Sequence, residues 1–157
     1  KSKKYMTNVY PAINQNSTQM ALRYTYGGKQ YYQIYNLAKG RFINPRNPVK
    51  RICLSATSGD FQGFDLYGTS IYTIEGSPRK SFLLGYDRSR RYQPTKIRRY
   101  NYAARSKKTI TVRGAKTLSF REPEGIKVLA GGQIYMMYVS NTLTNQSCNI
   151  YRVKRKI

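Results

Sequence analysis

The 157-residue chain predicts an all-β fold, and three features of the sequence carry that expectation. Its apolar residues come in short stretches that alternate with polar ones at a period of two. Glycine-containing turns separate the stretches. No sustained period of 3.6 residues, the mark of an amphipathic helix, runs along the chain.

Residues 20–26 (Met20-Ala21-Leu22-Arg23-Tyr24-Thr25-Tyr26) and 31–35 (Tyr31-Tyr32-Gln33-Ile34-Tyr35) read as two strands joined by the turn Gly27-Gly28-Lys29-Gln30, with residues 51–55 as a third. The design recurs at residues 63–66 and 71–74 around Tyr67-Gly68-Thr69-Ser70, with residues 81–86 as the next strand. It appears again at residues 125–129 and 134–139 around Ala130-Gly131-Gly132-Gln133, followed by residues 149–153. In each case glycine supplies the backbone freedom of a tight hairpin while the alternation buries one face. The interval holding residues 88–108 reads as a long insert or an irregular extra strand pair, and residues 109–113 as a returning strand.

Three meanders, none able to bury both faces alone, predict radially packed blades, so the expected fold is a β-propeller or part of one over a single domain, residues 1–157. A β-sandwich is the alternative. Because closure takes at least about four blades, the chain is read as holding a divergent fourth meander, as part of a larger propeller, or as closing on a second copy. The opening Lys1-Ser2-Lys3-Lys4 lacks a methionine and suggests a processed or recombinant fragment. No run reaches the roughly 18 apolar residues of a membrane-spanning helix.

Lysine and arginine number 29 against 6 aspartates and glutamates, a formal charge of +23 with no histidine. Self-repulsion on that scale points to a polyanionic partner. The cations concentrate in residues 88–108, where Arg88, Arg90, Arg91, Lys96, Arg98, Arg99, Arg105, Lys107 and Lys108 are accompanied by no acid. Tyr100 and Tyr102 are interleaved with them. Guanidinium forks match phosphate oxygens, and tyrosine rings cover sugar or base faces, so this stretch is the expected polyanion-binding surface. Lys1-Ser2-Lys3-Lys4 and Arg152-Val153-Lys154-Arg155-Lys156 are lesser basic clusters that add to the long-range field.

Catalysis is not expected. Without histidine, the usual nucleophilic triads have no base. Glu122 and Glu124 flank Pro123 too closely for the opposed carboxylates of a glycosidase, and are expected to pair with arginines or a turn amide. Gly27-Gly28-Lys29-Gln30 lacks the upstream glycine and the Ser/Thr of a P-loop. Cys53 and Cys148 have no metal-ligand spacing; they read as two buried thiols or, alternatively, one long-range disulfide. No cofactor or metal is implied. Asn16-Ser17-Thr18 and Asn145-Gln146-Ser147 are glycosylation triplets only in a secretory context.

Two motifs carry a family resemblance: Phe61-Gln62-Gly63-Phe64-Asp65-Leu66 followed by Ile71-Tyr72, and Phe120-Arg121-Glu122-Pro123-Glu124-Gly125-Ile126 followed by Ile134-Tyr135. Over residues 60–153 the chain resembles the helveticin J family of large bacteriocins and the related propellers of teichoic-acid-operon and phage receptor-binding proteins. The resemblance implies the C-terminal part of a five- or six-bladed-type propeller, secreted or attached to the cell wall, that binds anionic wall polymers such as teichoic acid with antibacterial action. It supplies no catalytic residue. Two other functions suit the composition: a basic nucleic-acid-binding protein, though without a helix-turn-helix, zinc-finger or RNP signature, and a structural surface-layer-associated protein.

Overall fold

The computed structural model describes residues 6–38, 43–44, 46–55, 60–76, 94–118, 121–141, 146–155 and 157. They form eleven strands: β1 (Thr7–Ile13), β2 (Gln19–Tyr26), β3 (Lys29–Asn36), β4 (Lys50–Leu54), β5 (Phe61–Tyr67), β6 (Ser70–Glu75), β7 (Thr95–Asn101), β8 (Ser106–Val112), β9 (Glu122–Leu129), β10 (Gln133–Asn141) and β11 (Gln146–Val153). The all-β expectation holds. Among the described residues no helix is long and apolar enough to cross a membrane.

The chain divides into two compact units, Lys1–Ser58 and Gly59–Ile157. The first contains one antiparallel sheet in the order β1-β2-β3-β4. Its central hairpin turns at Gly27 and Gly28, both at positive φ, as a two-residue loop matched to strand twist requires. Residues directly opposite one another share a face of the sheet. One face therefore carries Ala21, Arg23, Tyr32, Ile34 and Ile52, all buried, and the other carries Leu22, Tyr24, Tyr31, Gln33, Tyr35 and Arg51.

The second unit holds two antiparallel sheets, β5-β6-β7-β8 and β11-β10-β9. Tyr72, Ile74, Ile97 and Ile110 of the first pack with Val128, Ile134, Met136 and Tyr138 of the second, and Ile157 joins the same core. Close approach between the sheets gathers at β5, β6 and β9. There the two motifs singled out in the sequence meet. A Cβ on Gly63 would lie 3.5 Å from the Gly125 Cα, and one on Gly76 would lie 2.9 Å from Pro123 Cγ. Gln62 Nε2 donates to the Gly76 carbonyl (2.8 Å) and to Glu122 Oε1 (3.3 Å).

Asp65, buried on β5, spans the gap more tightly. Its Oδ1 accepts from Lys127 Nζ at 3.0 Å and its Oδ2 from the Val128 amide at 2.7 Å. Arg121, also buried, lies with its guanidinium carbon 4.0 Å from the centre of the Tyr138 ring, and its Nη2 donates to the Tyr138 hydroxyl and to Thr95 Oγ1. The motif residues thus tie two sheets together, which accounts for them without a ligand.

This packing overturns the closed propeller. The sheets are neither curled nor closed, and those of the second unit pack in a sandwich-like manner, β5 and β9 drawn together by small residues and by Asp65. Of the two readings of residues 88–108, the described part is the extra strand pair, a β7–β8 hairpin of regular register rather than an irregular one, and β7 takes the third-strand position beside β6. The strand expected at residues 81–86 lies outside the described residues.

Candidate polyanion interface

The β7–β8 register distributes the expected site residues over two faces. Lys96, Arg98 and Tyr100 lie opposite Thr111, Thr109 and Lys107; Arg99 lies opposite Lys108 on the other face. Two of the cations are engaged within the fold. Arg98 Nε is 3.1 Å from the buried Glu75 Oε2. Arg99 Nε donates to Ser70 Oγ at 3.1 Å, and its Nη1 to the Ile157 carbonyl at 3.3 Å. Lys96 is half-buried. Among the described residues the run is therefore divided between two faces, because strand alternation separates neighbours that the linear sequence groups together. Arg88, Arg90 and Arg91 lie outside the described residues.

The exposed cations of the hairpin are Arg105, Lys107 and Lys108, at its tip and on β8. Side-chain bonds define that tip. Asn101 Oδ1 accepts from the amides of Ala103 and Ala104 at 3.0 and 2.9 Å, an Asx-type turn. The Tyr102 amide donates to the Thr69 carbonyl, and its hydroxyl donates to the Gly68 carbonyl at 3.2 Å. Burial raises the Tyr102 phenol above its ordinary value, so it remains a donor. Tyr102 is thus an anchor for the tip. Arg105 closes the loop at φ 52°, a left-handed conformation. Lys107 Nζ lies 5.9 Å from the centre of the Tyr100 ring, at the outer range of a cation–π contact.

Along β8 the hairpin leads into a groove of about 270 Å³ lined by Ile110, Val112, Met136, Tyr138, Tyr151 and Val153. Its rim carries Arg113, Arg152, Lys154 and Arg155, all exposed. β8 and β11 are edge strands, and neither contains an acid. Lysines and arginines on such strands also discourage edge-to-edge pairing. Here they additionally bring Arg113 and the Arg152–Arg155 cluster to one apolar-floored groove. Sequence reasoning found the second cluster but missed its conjunction with Arg113, which depends on two strands nearly forty residues apart lining the same opening.

Cys53 and Cys148 are exposed free thiols rather than buried ones or a disulfide. Both sit on edge strands, β4 and β11, where alternation leaves one side open. Among the described residues no group of three or more His, Cys, Asp or Glu side chains could hold a metal ion. Among the described residues Glu122 accepts from Gln62 and shares a hydrogen bond with Glu124 rather than pairing with an arginine.

Partial burial raises the Glu124 carboxyl above its ordinary value, with the Glu122 charge and the shared hydrogen bond adding to the effect. A raised folded-state value means that Glu124 favours the fold at pH below the ordinary carboxylate range, and that this contribution is lost as pH rises through the raised value. Glu124→Gln is therefore expected to stabilise the second unit at neutral pH by less than about 1 kcal/mol, given the group's exposure. Urea titrations at two pH values check this: the difference should close in acid.

No protein-family model, curated protein or solved structure matches the chain. The helveticin J resemblance thus has no counterpart among them, the bacteriocin description drawn from it stands without support, and its closed propeller is overturned by the open sheets.

Proposed function

We propose that this protein binds the phosphate backbone of nucleic acid, seating it on the β7–β8 tip and along the groove between β8 and β11. One observation carries the reading: Arg105 at the tip and Lys107 and Lys108, on opposite faces of the edge strand β8, flank the strand that borders a groove rimmed by Arg113, Arg152, Lys154 and Arg155, and no acid stands on either bordering strand. Phosphate oxygens accept charge-assisted hydrogen bonds from guanidinium and ammonium groups, and the displaced counterions drive association. The apolar floor suits the backbone sugar rather than a base edge, so the backbone is held without sequence readout.

The test is a fluorescence-anisotropy titration of a labelled DNA duplex with the parent and with the triple variant Arg105→Gly/Lys107→Gln/Lys108→Gln at one salt concentration. Glycine at position 105 relieves a left-handed conformation that costs other residues about 1–2 kcal/mol, so lost affinity is not explained by lost folding. The variant is expected to bind at least about tenfold more weakly. Equal affinity of parent and variant refutes the proposed seat.

A further inference from the structure

The seat just described leaves the first unit unused, and that unit has the most lopsided charge in the molecule. Residues 1–58 contain ten lysines and arginines and not one aspartate or glutamate. No carboxylate side chain within the unit can neutralise its arginines. On one face of the sheet, Tyr24 and Tyr31 stand directly opposite on β2 and β3 and stack with ring centres 5.4 Å apart at 15°. They line a concavity of about 660 Å³ that also takes in Tyr26, Tyr35, Arg46 and Arg51. Volumes of roughly 300–1,000 Å³ are those of ligand-holding clefts.

Arg51 is oriented in this concavity by a neutral partner. With the Gln33 amide turned so that both ends are satisfied, its nitrogen donates to the Tyr35 hydroxyl at 2.6 Å and its oxygen accepts from Arg51 Nε at 3.1 Å and Nη2 at 2.9 Å. A glutamine oxygen aims the guanidinium without cancelling its charge. Arg51 and Arg46 are both exposed, Tyr26 is 42% exposed and Tyr31 is half-buried.

Resting on the nucleic-acid reading and deepening it, we propose that this face binds single-stranded nucleic acid, unpaired bases stacking on Tyr31 and Tyr26 while their phosphates meet Arg51 and Arg46. A stacked tyrosine pair on an open sheet offers a π-face that accepts any base, but only one that is not already paired and stacked in a duplex. An acidic peptide would satisfy the arginines and leave the ring faces without a purpose. A neutral sugar would do the reverse.

The experiment compares a labelled thymidine 12-mer, an abasic strand of the same length and a duplex of the same length, titrated with the parent, Tyr31→Leu and Tyr31→Phe. Leucine keeps apolar bulk and removes the ring; phenylalanine keeps the ring, and far-UV circular dichroism confirms the strand content of both. Tyr31→Leu is expected to weaken single-strand binding about tenfold and leave duplex binding unchanged, Tyr31→Phe to match the parent, and the abasic strand to bind the parent about as weakly as the 12-mer binds Tyr31→Leu.

The inference is overturned if Tyr31→Leu binds the 12-mer like the parent, or if the abasic strand binds as tightly as the 12-mer. It is equally overturned if sedimentation shows a dimer that Tyr31→Leu dissociates and the 12-mer does not, since a second copy then covers this face. The β7–β8 triple variant separates this idea from the one beneath it. Loss with the triple variant but not with Tyr31→Leu removes the stacking face alone; loss with Tyr31→Leu but not with the triple variant removes the backbone seat alone. Failure of every oligonucleotide to bind removes both.

Discussion

Asp65→Ala is expected to destabilise the second unit by about 3–5 kcal/mol, because it removes a charge-assisted hydrogen bond and leaves a buried donor without its acceptor. The Val128 amide, on the edge strand β9, donates to Asp65 Oδ2 at 2.7 Å. Val128 is fully buried, so water cannot easily replace the lost acceptor. Lys127 contributes less to the loss, since its side chain is 45% exposed and its ammonium can rehydrate. Asp65→Asn retains an acceptor for the amide and gives up only the ion pair, so its cost should fall to about 1 kcal/mol. Urea denaturation at neutral pH measures both; an alanine variant within about 1 kcal/mol of the parent would show that the sheets are held by apolar packing alone.

Asp65 also shows why the acids of this chain are placed as they are. Two of the few available, Asp65 and Glu75, are buried, one facing Lys127 and the other Arg98. Carboxylates so engaged hold strands and sheets together and cannot screen the exposed cations of β8 and β11. The uncompensated surface follows from how the interior is built as well as from a surplus of lysine and arginine.

What the sequence revealed, and what it did not, follows the range of the interactions involved. The hairpins at Gly27-Gly28, Gly68 and Gly131 were legible because turn chemistry and alternation are local. β1 was not, since Val9, Tyr10 and Ile13 are exposed and Pro11 argues against a strand; as an edge strand it tolerates the proline. β7 was hidden by Lys96, Arg98 and Arg99, polar residues that take strand conformation because β6 and β8 pair with them on both sides. A strand in such a position is defined by its neighbours rather than its own composition.

The candidate site shows the same division. Charge was visible as a count, but which cations stay available depended on Glu75, Ser70 and the Ile157 carbonyl, contacts that cross the fold. The tyrosines were visible as an excess. Their assembly on one face with Arg51 required the β2–β3–β4 register, which places Tyr24 against Tyr31 and Gln33 against Arg51.

Raising sodium chloride from about 50 to 200 mM is expected to weaken duplex binding by roughly a thousandfold if about six phosphates are neutralised, because affinity falls with salt at a slope near 0.9 per contact. Seven exposed cations, Arg105, Lys107, Lys108, Arg113, Arg152, Lys154 and Arg155, are available to supply those contacts. Neutralising the three at the hairpin should lower the slope of log affinity against log salt by about 2.7 and leave the groove residues to account for the remainder. Stacking on Tyr31 releases no counterions, so Tyr31→Leu should displace the single-strand salt plot downward without changing its slope. Anisotropy titrations at four salt concentrations resolve slope from offset. A parent slope that the triple variant leaves unaltered would place the phosphate contacts elsewhere on the molecule, and a parent affinity indifferent to salt would remove electrostatic capture as the basis of binding.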